Sequence, residues 1–321
     1  MRHLLTLNDL SFMETRQLCQ AALLYKQSRY SRNISQFPLA DTTTVLLFEK
    51  PSLRTRISFE IAAQELGGRS LYLSPQEVGL GKRESIADVA HVLSAYAQTV
   101  VIRTFSHTII EEFAENASIP VINGLTDLSH PCQGLTDVFT IYEHFGPHRP
   151  ITIAYIGDGN NVANSLLQTA AHMGMSIRLA VPSGFTPNQK ALQNAEKAAI
   201  YTGADIHITD NPLEAAENAD VVYTDVWVSM GQEQETKQRT QIFAQYQVND
   251  TILRAAKPDA VIMHPLPAHR GFEITDNALD GAQSIVFTQA ENRLHMQKAI
   301  LALLAGDTYV FANKSLALAA E

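Results

Sequence analysis

The run Ser52-Leu53-Arg54-Thr55-Arg56 follows a β-rich stretch, Thr43–Phe48, and opens a helical pattern. A helix N-terminus presents backbone N–H groups and partial positive charge to an anion. The hydroxyls of Ser52 and Thr55 add donors, and the Arg54 guanidinium offers a forked contact to phosphate oxygens. Alone, Ser-x-Arg-Thr describes an N-capped surface helix equally well. Its place just past a strand is what points to a phosphate. Arg103 closes a second β-rich run. His130-Pro131-Cys132-Gln133 stands at another helix start, where an imidazole and a carboxamide one turn apart can hold a carbonyl oxygen and an amino group.

Three later segments carry chemistry of a different kind. In Gly157-Asp158-Gly159-Asn160-Asn161-Val162 the third glycine of a dinucleotide fingerprint is replaced by Val162. The next strand ends Leu179-Ala180-Val181-Pro182, with no carboxylate for a ribose. This is a close turn that leaves Asn161 to contact a ligand, not a nicotinamide site. Asp225-Val226-Trp227-Val228-Ser229-Met230-Gly231 follows a strand and puts a carboxylate beside a hydroxyl, with Trp227 and Met230 expected to be exposed. That set suits an amino-acid substrate. In His264-Pro265-Leu266-Pro267 two prolines fix the backbone and leave carbonyls to accept hydrogen bonds. Arg293, in Glu291-Asn292-Arg293, offers one more guanidinium. No metal site is expected, because Cys132 lies two positions from His130 and no second ligand pair has zinc spacing. Cys19 and Cys132 read as free thiols of a reducing cytoplasm.

These segments need a scaffold that delivers several strand ends to one place. With 321 residues, 45% hydrophobic and 18% charged, the chain is globular and long enough for two domains. A net charge of −9 argues against a nucleic-acid or anionic-membrane surface, and no apolar run is long enough to span a membrane. Strands are expected at Thr43–Phe48, Ser70–Leu73, Val100–Arg103 and Pro120–Ile122, then at Ile151–Ile156, Ser176–Val181, Asp205–Ile208, Asp220–Thr224, Ala260–Met263 and Ser284–Phe287. Helical patterns alternate with them: Ser11–Ser28, Leu53–Leu66, Ser85–Ala97, His107–Asn116, His130–Phe145, Asn161–Met173, Pro187–Tyr201 and Glu291–Ala305. Such alternation predicts an α/β fold of two domains, each a parallel sheet flanked by helices. The expected boundaries are 1–146 and 151–290 around Gly146–Pro150, with a C-terminal helical segment, 291–321, returning to the first domain.

Taken in order, the Ser-x-Arg-Thr-Arg, His-Pro-Cys-Gln, Asp-x-Trp-x-Ser-Met-Gly and His-Pro-Leu-Pro tracts resemble the aspartate/ornithine carbamoyltransferase family. The likeness covers nearly the whole chain, from Leu4–Leu10 to Glu291-Asn292-Arg293. The first two tracts mark that family's carbamoyl phosphate domain, and the third marks its ornithine users. The resemblance implies transfer of the carbamoyl group of carbamoyl phosphate to the side-chain amine of L-ornithine, giving L-citrulline and phosphate in arginine metabolism. It further implies no cofactor, a homotrimer or a multiple of trimers, and a cytoplasmic location. By motif, Ser52, Leu53 through its backbone, Arg54, Thr55 and Arg103 would hold the phosphate. His130, Thr55, Arg103 and Arg293 would surround the carbonyl oxygen, with Arg103, His130 and Arg293 as the catalytic groups. Gln133 and the carbonyls of Pro265 and Leu266 would take the carbamoyl amide protons. Asn161, Asp225, Ser229 and Met230 would grip ornithine, and a cis peptide would precede Pro267. Three positions depart from the pattern: Pro265 where ornithine users typically have Cys, Gly79 where many have Gln or His, and Phe272 where the residue is often acidic. Putrescine is the alternative acceptor, but it has no α-carboxylate or α-amine for the Asp225 loop to read. A nicotinamide dehydrogenase is the alternative from another class.

Overall fold

The computed structural model describes residues 2–31, 37–229 and 231–306. The chain divides into two compact units, Met1–Phe139 with Asn292–Glu321, and Thr140–Glu291. The division falls inside two helices, Pro131–Phe145 and Val286–Ala305.

In the first unit four parallel strands form one sheet: β1 (Thr43–Phe48), β2 (Arg69–Leu73), β3 (Thr99–Arg103) and β4 (Val121–Leu125), in the order β2-β1-β3-β4. β3 is buried at every position, as expected for a strand covered on both faces. Val45, Leu47, Val89, Leu93, Val100, Ile102, Ile110 and Phe113 form its core, each such side chain contributing roughly 1.5–3 kcal/mol by burial. The strands and helices lie within a few residues of the expected ones. One difference is β4, which runs on to Leu125 although Asn123 and Gly124 interrupt the apolar pattern. Asn123 earns its buried place through backbone partners: its N–H donates to Leu4 O at 2.8 Å and its Nδ2 to Leu5 O at 2.8 Å.

The second unit holds five parallel strands: β5 (Thr152–Ile156), β6 (Ser176–Ala180), β7 (Ile206–Thr209), β8 (Val221–Tyr223) and β9 (Val261–Met263), in the order β7-β6-β5-β8-β9. The expected strand Ser284–Phe287 does not form. Ser284 makes a single parallel bridge to Ile262, and the helix Val286–Ala305 has already begun at Val286. Val286 is buried while Phe287 is 72% exposed. A short apolar run of this kind fits either element, and here it supplies the first turn of a long helix.

Each sheet reverses its winding at one point. In the first unit the reversal lies between β1 and β3; in the second it lies between β5 and β8. Beyond the carboxyl ends of strands flanking such a point the connecting loops diverge and leave a crevice for ligands. Every motif singled out from the sequence before residue 264 lies at one of these two reversals or at the start of a helix that follows a strand. The His264 tract follows β9.

Candidate active site

In the first unit the loop after β1 is locked to the end of β3, with Glu49 N–H donating to Arg103 O at 2.7 Å and the Thr104 hydroxyl donating to the Glu49 carboxylate. Lys50, only 3% exposed, pairs with Asp127 at 2.5 Å and lies 4.0 Å from the centre of the Phe105 ring. Ser52 caps the helix Leu53–Glu65, its Oγ accepting the Thr55 N–H at 3.2 Å. The Thr55 amide is therefore spent within the helix, and Thr55 presents its hydroxyl instead. That hydroxyl accepts from Arg293 Nη2 at 2.7 Å, while Arg293 Nη1 donates to Gln133 Oε1 at 3.1 Å. Gln133 is oriented by its own Nε2, which donates to Asp137 Oδ1 at 2.7 Å. Its oxygen has a second lone pair with which to accept another donor.

Arg103, Thr55, His130, Gln133 and Arg293 are all buried, and Ser52 and Arg54 are half-buried. Burial, then the like charges of Arg293 and Arg54, bring the Arg103 guanidinium down to about 10. Burial, then the charges of Arg293, Arg103 and Arg54, hold the His130 imidazole well below its ordinary range. His130 is thus uncharged at neutral pH and can donate to an oxygen without adding a fourth positive charge. Three guanidiniums that repel one another near a helix N-terminus are an arrangement that could accommodate an anion. The predicted set Ser52, Leu53, Arg54, Thr55, Arg103, His130, Gln133 and Arg293 falls in this one unit, around the β1/β3 reversal and the helices after β4 and at the C-terminal end.

The second unit gathers the acceptor-type residues. Asp225, just past β8 and 6% exposed, accepts a hydrogen bond from Asn160 Nδ2 at 2.8 Å, so the loops after β5 and β8 meet across the reversal. Burial raises the Asp225 carboxyl against that hydrogen bond. Asn160 also caps the helix Asn161–Met173, accepting from Val162 N–H at 2.9 Å and Ala163 N–H at 3.1 Å. The sequence pointed to Asn161; Asn160 is the residue that meets Asp225. A Cβ at Gly159 would lie 2.4–2.5 Å from backbone atoms of Phe185, Thr186 and Pro187, and the Gly159 N–H donates to Phe185 O at 2.9 Å. The chain itself fills the space where a dinucleotide would approach this turn, which weighs against the dehydrogenase alternative on geometry as well as on sequence.

The Asp225 loop is not arranged as expected at Trp227. The indole is only 4% exposed, stacked on Phe243 with ring centres 6.0 Å apart and set edge-on to Phe272 at 6.4 Å. The aromatic side chains of Phe243 and Phe272 are distant in sequence, so the polar run after Gly231 concealed them. Phe272, the departure noted above, is thus part of this packing. Trp227 is held by Arg239, whose Nε donates to Trp227 O at 2.5 Å and whose Nη2 pairs with Asp158. The guanidinium of Arg239 also lies over Phe185 at 4.8 Å and Phe243 at 5.3 Å. Burial lifts the Asp158 carboxyl to about 6 despite the Arg239 charge. Ser229 N–H donates to Gln232 Oε1 at 3.1 Å, and Met230 lies outside the described residues. Sequence reasoning missed Arg239 and Asp158: a lone Arg in a Glu-, Gln- and Lys-rich stretch carries no local signal.

Pro265 and Leu266 lie in the loop after β9, with a cis bond between Leu266 and Pro267. Gly79 ends the helix Pro75–Val78 at φ 62°, and a Cβ there would meet Arg83 Cβ at 2.8 Å. Glycine fits this left-handed position, which a Gln or His would strain. Among the described residues no group of three or more His, Cys, Asp or Glu is placed to hold a metal ion, and no helix is long and apolar enough to cross a membrane.

The comparisons with known proteins divide the chain as the two sheets do. The carbamoyl-P binding domain of aspartate/ornithine carbamoyltransferases matches residues 2–143, and their Asp/Orn binding domain matches 149–304. An ornithine carbamoyltransferase of Archaeoglobus fulgidus is 47% identical over 306 residues, 95% of this chain and 98% of that protein. The solved ornithine carbamoyltransferase of Pyrococcus furiosus superposes with a TM-score of 0.91 at 44% identity, covering 95% of this chain and 97% of that one. That of Gloeobacter violaceus does so with a TM-score of 0.85 at 42% identity, covering 95% and 99%. Matched by both of the family's domains and along nearly the full length of these relatives, the chain belongs to the aspartate/ornithine carbamoyltransferase family.

Proposed function

We propose that the chain transfers the carbamoyl group of carbamoyl phosphate to the side-chain amine of L-ornithine, releasing L-citrulline and phosphate. The reading rests on relatives of this name over 95% of the chain. The observation that carries the choice of acceptor is Asp225. The Asp158 carboxylate is matched by Arg239, whereas among the described residues the Asp225 carboxylate is hydrogen-bonded by neutral groups, the Asn160 amide and the Val226 N–H. It therefore remains to attract the α-ammonium of an amino acid. Between Asp225 and Glu235 there is no arginine for the second carboxylate of aspartate. Putrescine has no α-groups for this loop to read.

In this mechanism Ser52, the Leu53 amide, Arg54, Thr55 and Arg103 hold the phosphate, while Arg103, His130 and Arg293 face the carbonyl oxygen. Gln133 and the carbonyls of Pro265 and Leu266 receive the amide protons. Asn161, Asp225, Ser229 and Met230 hold ornithine. The lone pair of the δ-nitrogen forms a bond to the carbamoyl carbon, and negative charge gathers on its oxygen. Each donor aimed at that charge is typically worth about 3 kcal/mol. The carbon–oxygen bond to phosphate then breaks, and the phosphate takes up the proton lost by nitrogen. Only the free amine reacts; an alkylammonium with a pKa near ~10.4 supplies about one molecule in a thousand at pH 7.

The assembly we assign is a homotrimer or a multiple of trimers in the cytoplasm, without nucleic-acid or membrane partners. A place in arginine biosynthesis is favoured by the 44%-identical Pyrococcus furiosus relative, which is called anabolic. Labelled carbamoyl transfer measured side by side with ornithine, putrescine, aspartate and acetylornithine tests the acceptor. A preference for any acceptor over ornithine would overturn it.

A further inference from the structure

The loop His264–Arg270 leaves β9, which ends at Met263. Leu266 has φ 57°, in the left-handed region that a branched side chain disfavours. Its N–H donates to His264 Nδ1 at 2.9 Å. A ring nitrogen that accepts this bond carries no proton, so the proton of the neutral imidazole sits on Nε2. Nε2 lies 3.1 Å from Glu273 Oε1, and both side chains are wholly buried. The same carboxylate oxygen accepts the His269 N–H at 2.5 Å, so Glu273 spans the loop from one end to the other. The His264 backbone is held as well, donating to Gln289 Oε1 at 2.9 Å. The imidazole thus stands between a carboxylate that fixes its tautomer and a backbone amide that needs an acceptor.

We propose that His264 is a positioning residue, fixed by Glu273, whose Nδ1 holds the Leu266 amide and thereby turns the Pro265 and Leu266 carbonyls toward the carbamoyl group. The inference rests on the carbamoyl-transfer reading of the site. Neither Pro265 nor Leu266 has a polar side chain, so each can meet a ligand's N–H only through its backbone carbonyl.

The two hydrogen bonds of His264 can be separated. The Oδ1 of asparagine replaces Nδ1, so His264→Asn keeps an acceptor for Leu266 and gives up the contact with Glu273. The Nε2 of glutamine replaces the other nitrogen, so His264→Gln keeps the contact with Glu273 and gives up the acceptor. With ornithine saturating, kcat should fall on the order of a hundredfold in His264→Gln, and at least roughly tenfold less far in His264→Asn. Inhibition by inorganic phosphate should change by no more than about twofold in either, since the phosphate contacts lie on other residues. Equal losses in the two variants, or phosphate inhibition that weakens in step with kcat, would overturn the positioning role. The unmodified enzyme gives a second readout that needs no variant to fold. The carbonyl carbons of Pro265 and Leu266, labelled with carbon-13, should shift when carbamoyl phosphate is added and stay in place with phosphate alone. A nitrogen-15 spectrum showing the proton of His264 on Nδ1, or carbonyls that ignore carbamoyl phosphate, would also overturn it. Transfer to ornithine by the unmodified enzyme is measured first: its absence would remove the functional reading itself, whereas its presence with equal variants would remove only the inference.

Discussion

Arg293 and Thr55, 238 positions apart in the chain, are joined by a hydrogen bond of 2.7 Å that ties the helix Val286–Ala305 to the start of the helix Leu53–Glu65. Both residues are buried, and a charged donor in such a place depends on its acceptor. Replacing Thr55 by Val keeps the shape and removes the acceptor. Leaving a buried charged donor without its partner costs about 1–3 kcal/mol. Urea denaturation of Thr55→Val should therefore show a lower midpoint, with weaker carbamoyl phosphate binding by calorimetry. An unchanged midpoint would mean that Arg293 finds its acceptors elsewhere.

Arg54 offers a cleaner test of the phosphate site, because it is only half-buried and its loss should leave the fold intact. Its charge, with that of Arg293, bears on both Arg103 and His130. Arg54→Ala should weaken carbamoyl phosphate binding at least about tenfold, the value of one charge-assisted contact of roughly 1.5–3 kcal/mol. Thermal unfolding of the free variant should stay near that of the parent. Undiminished affinity would place the phosphate away from Arg54.

His130 should mark the pH dependence of stability. Its folded-state pKa lies well below the ordinary value of 6.5. As pH falls below about 6.5 the unfolded chain takes up a proton that the folded chain refuses, so stability is lost on acidification. The slope for one such group is up to about 1.4 kcal/mol per pH unit. His3 and His172 are lowered in the same direction, chiefly by burial, and add to it. Denaturation of the parent and of His130→Gln between pH 7 and 5.5 should give a shallower loss in the variant. Parallel curves would show that His130 does not remain neutral in the fold.

Much of this molecule is legible along the chain because its strands are buried and short, and its helices announce their starts. Ser52, Ser85, Ser106 and Asn160 each cap a helix from the position where a sequence reader would look. The phosphate-facing residues share this legibility, since they sit at strand ends and helix starts. The run Ser284–Phe287 reads as a strand along the chain because four apolar or small residues have no period of their own. Trp227 was misread because its cover, Phe243 and Phe272, comes from elements 16 and 45 positions away, a relation visible only once the chain is folded. Arg239 and Asp158 escape for the same reason: a buried charge is recognised by its partner, and these two are 81 positions apart.

Asp158 and Arg239 are linked to Trp227, the only tryptophan of the sequence. Asp158 titrates at about 6 because burial outweighs the attraction of Arg239, and near pH 7 it is ionised and paired. Arg239 in turn holds the Trp227 carbonyl. Lowering the pH through 6 neutralises Asp158 and releases one side of the guanidinium, so the backbone at Trp227 loosens. Its effect on stability has the sign opposite to that of His130. A carboxyl whose pKa is raised in the fold favours folding below its unfolded value near 3.9, and that contribution is lost as pH rises through about 6. A loosened loop and a stabilised fold should thus coincide, which separates this event from general acid unfolding. Emission from Trp227, the single Trp in 321 residues, reports on the loop alone. It should change between pH 7 and 5 with a midpoint near about 6, in line with the raised carboxyl. Asp158→Asn, which is neutral throughout, should abolish the transition and resemble the parent at low pH at every pH. A transition of the same midpoint in Asp158→Asn would assign the signal to another group, and a flat parent would mean that Arg239 holds Trp227 without help from Asp158.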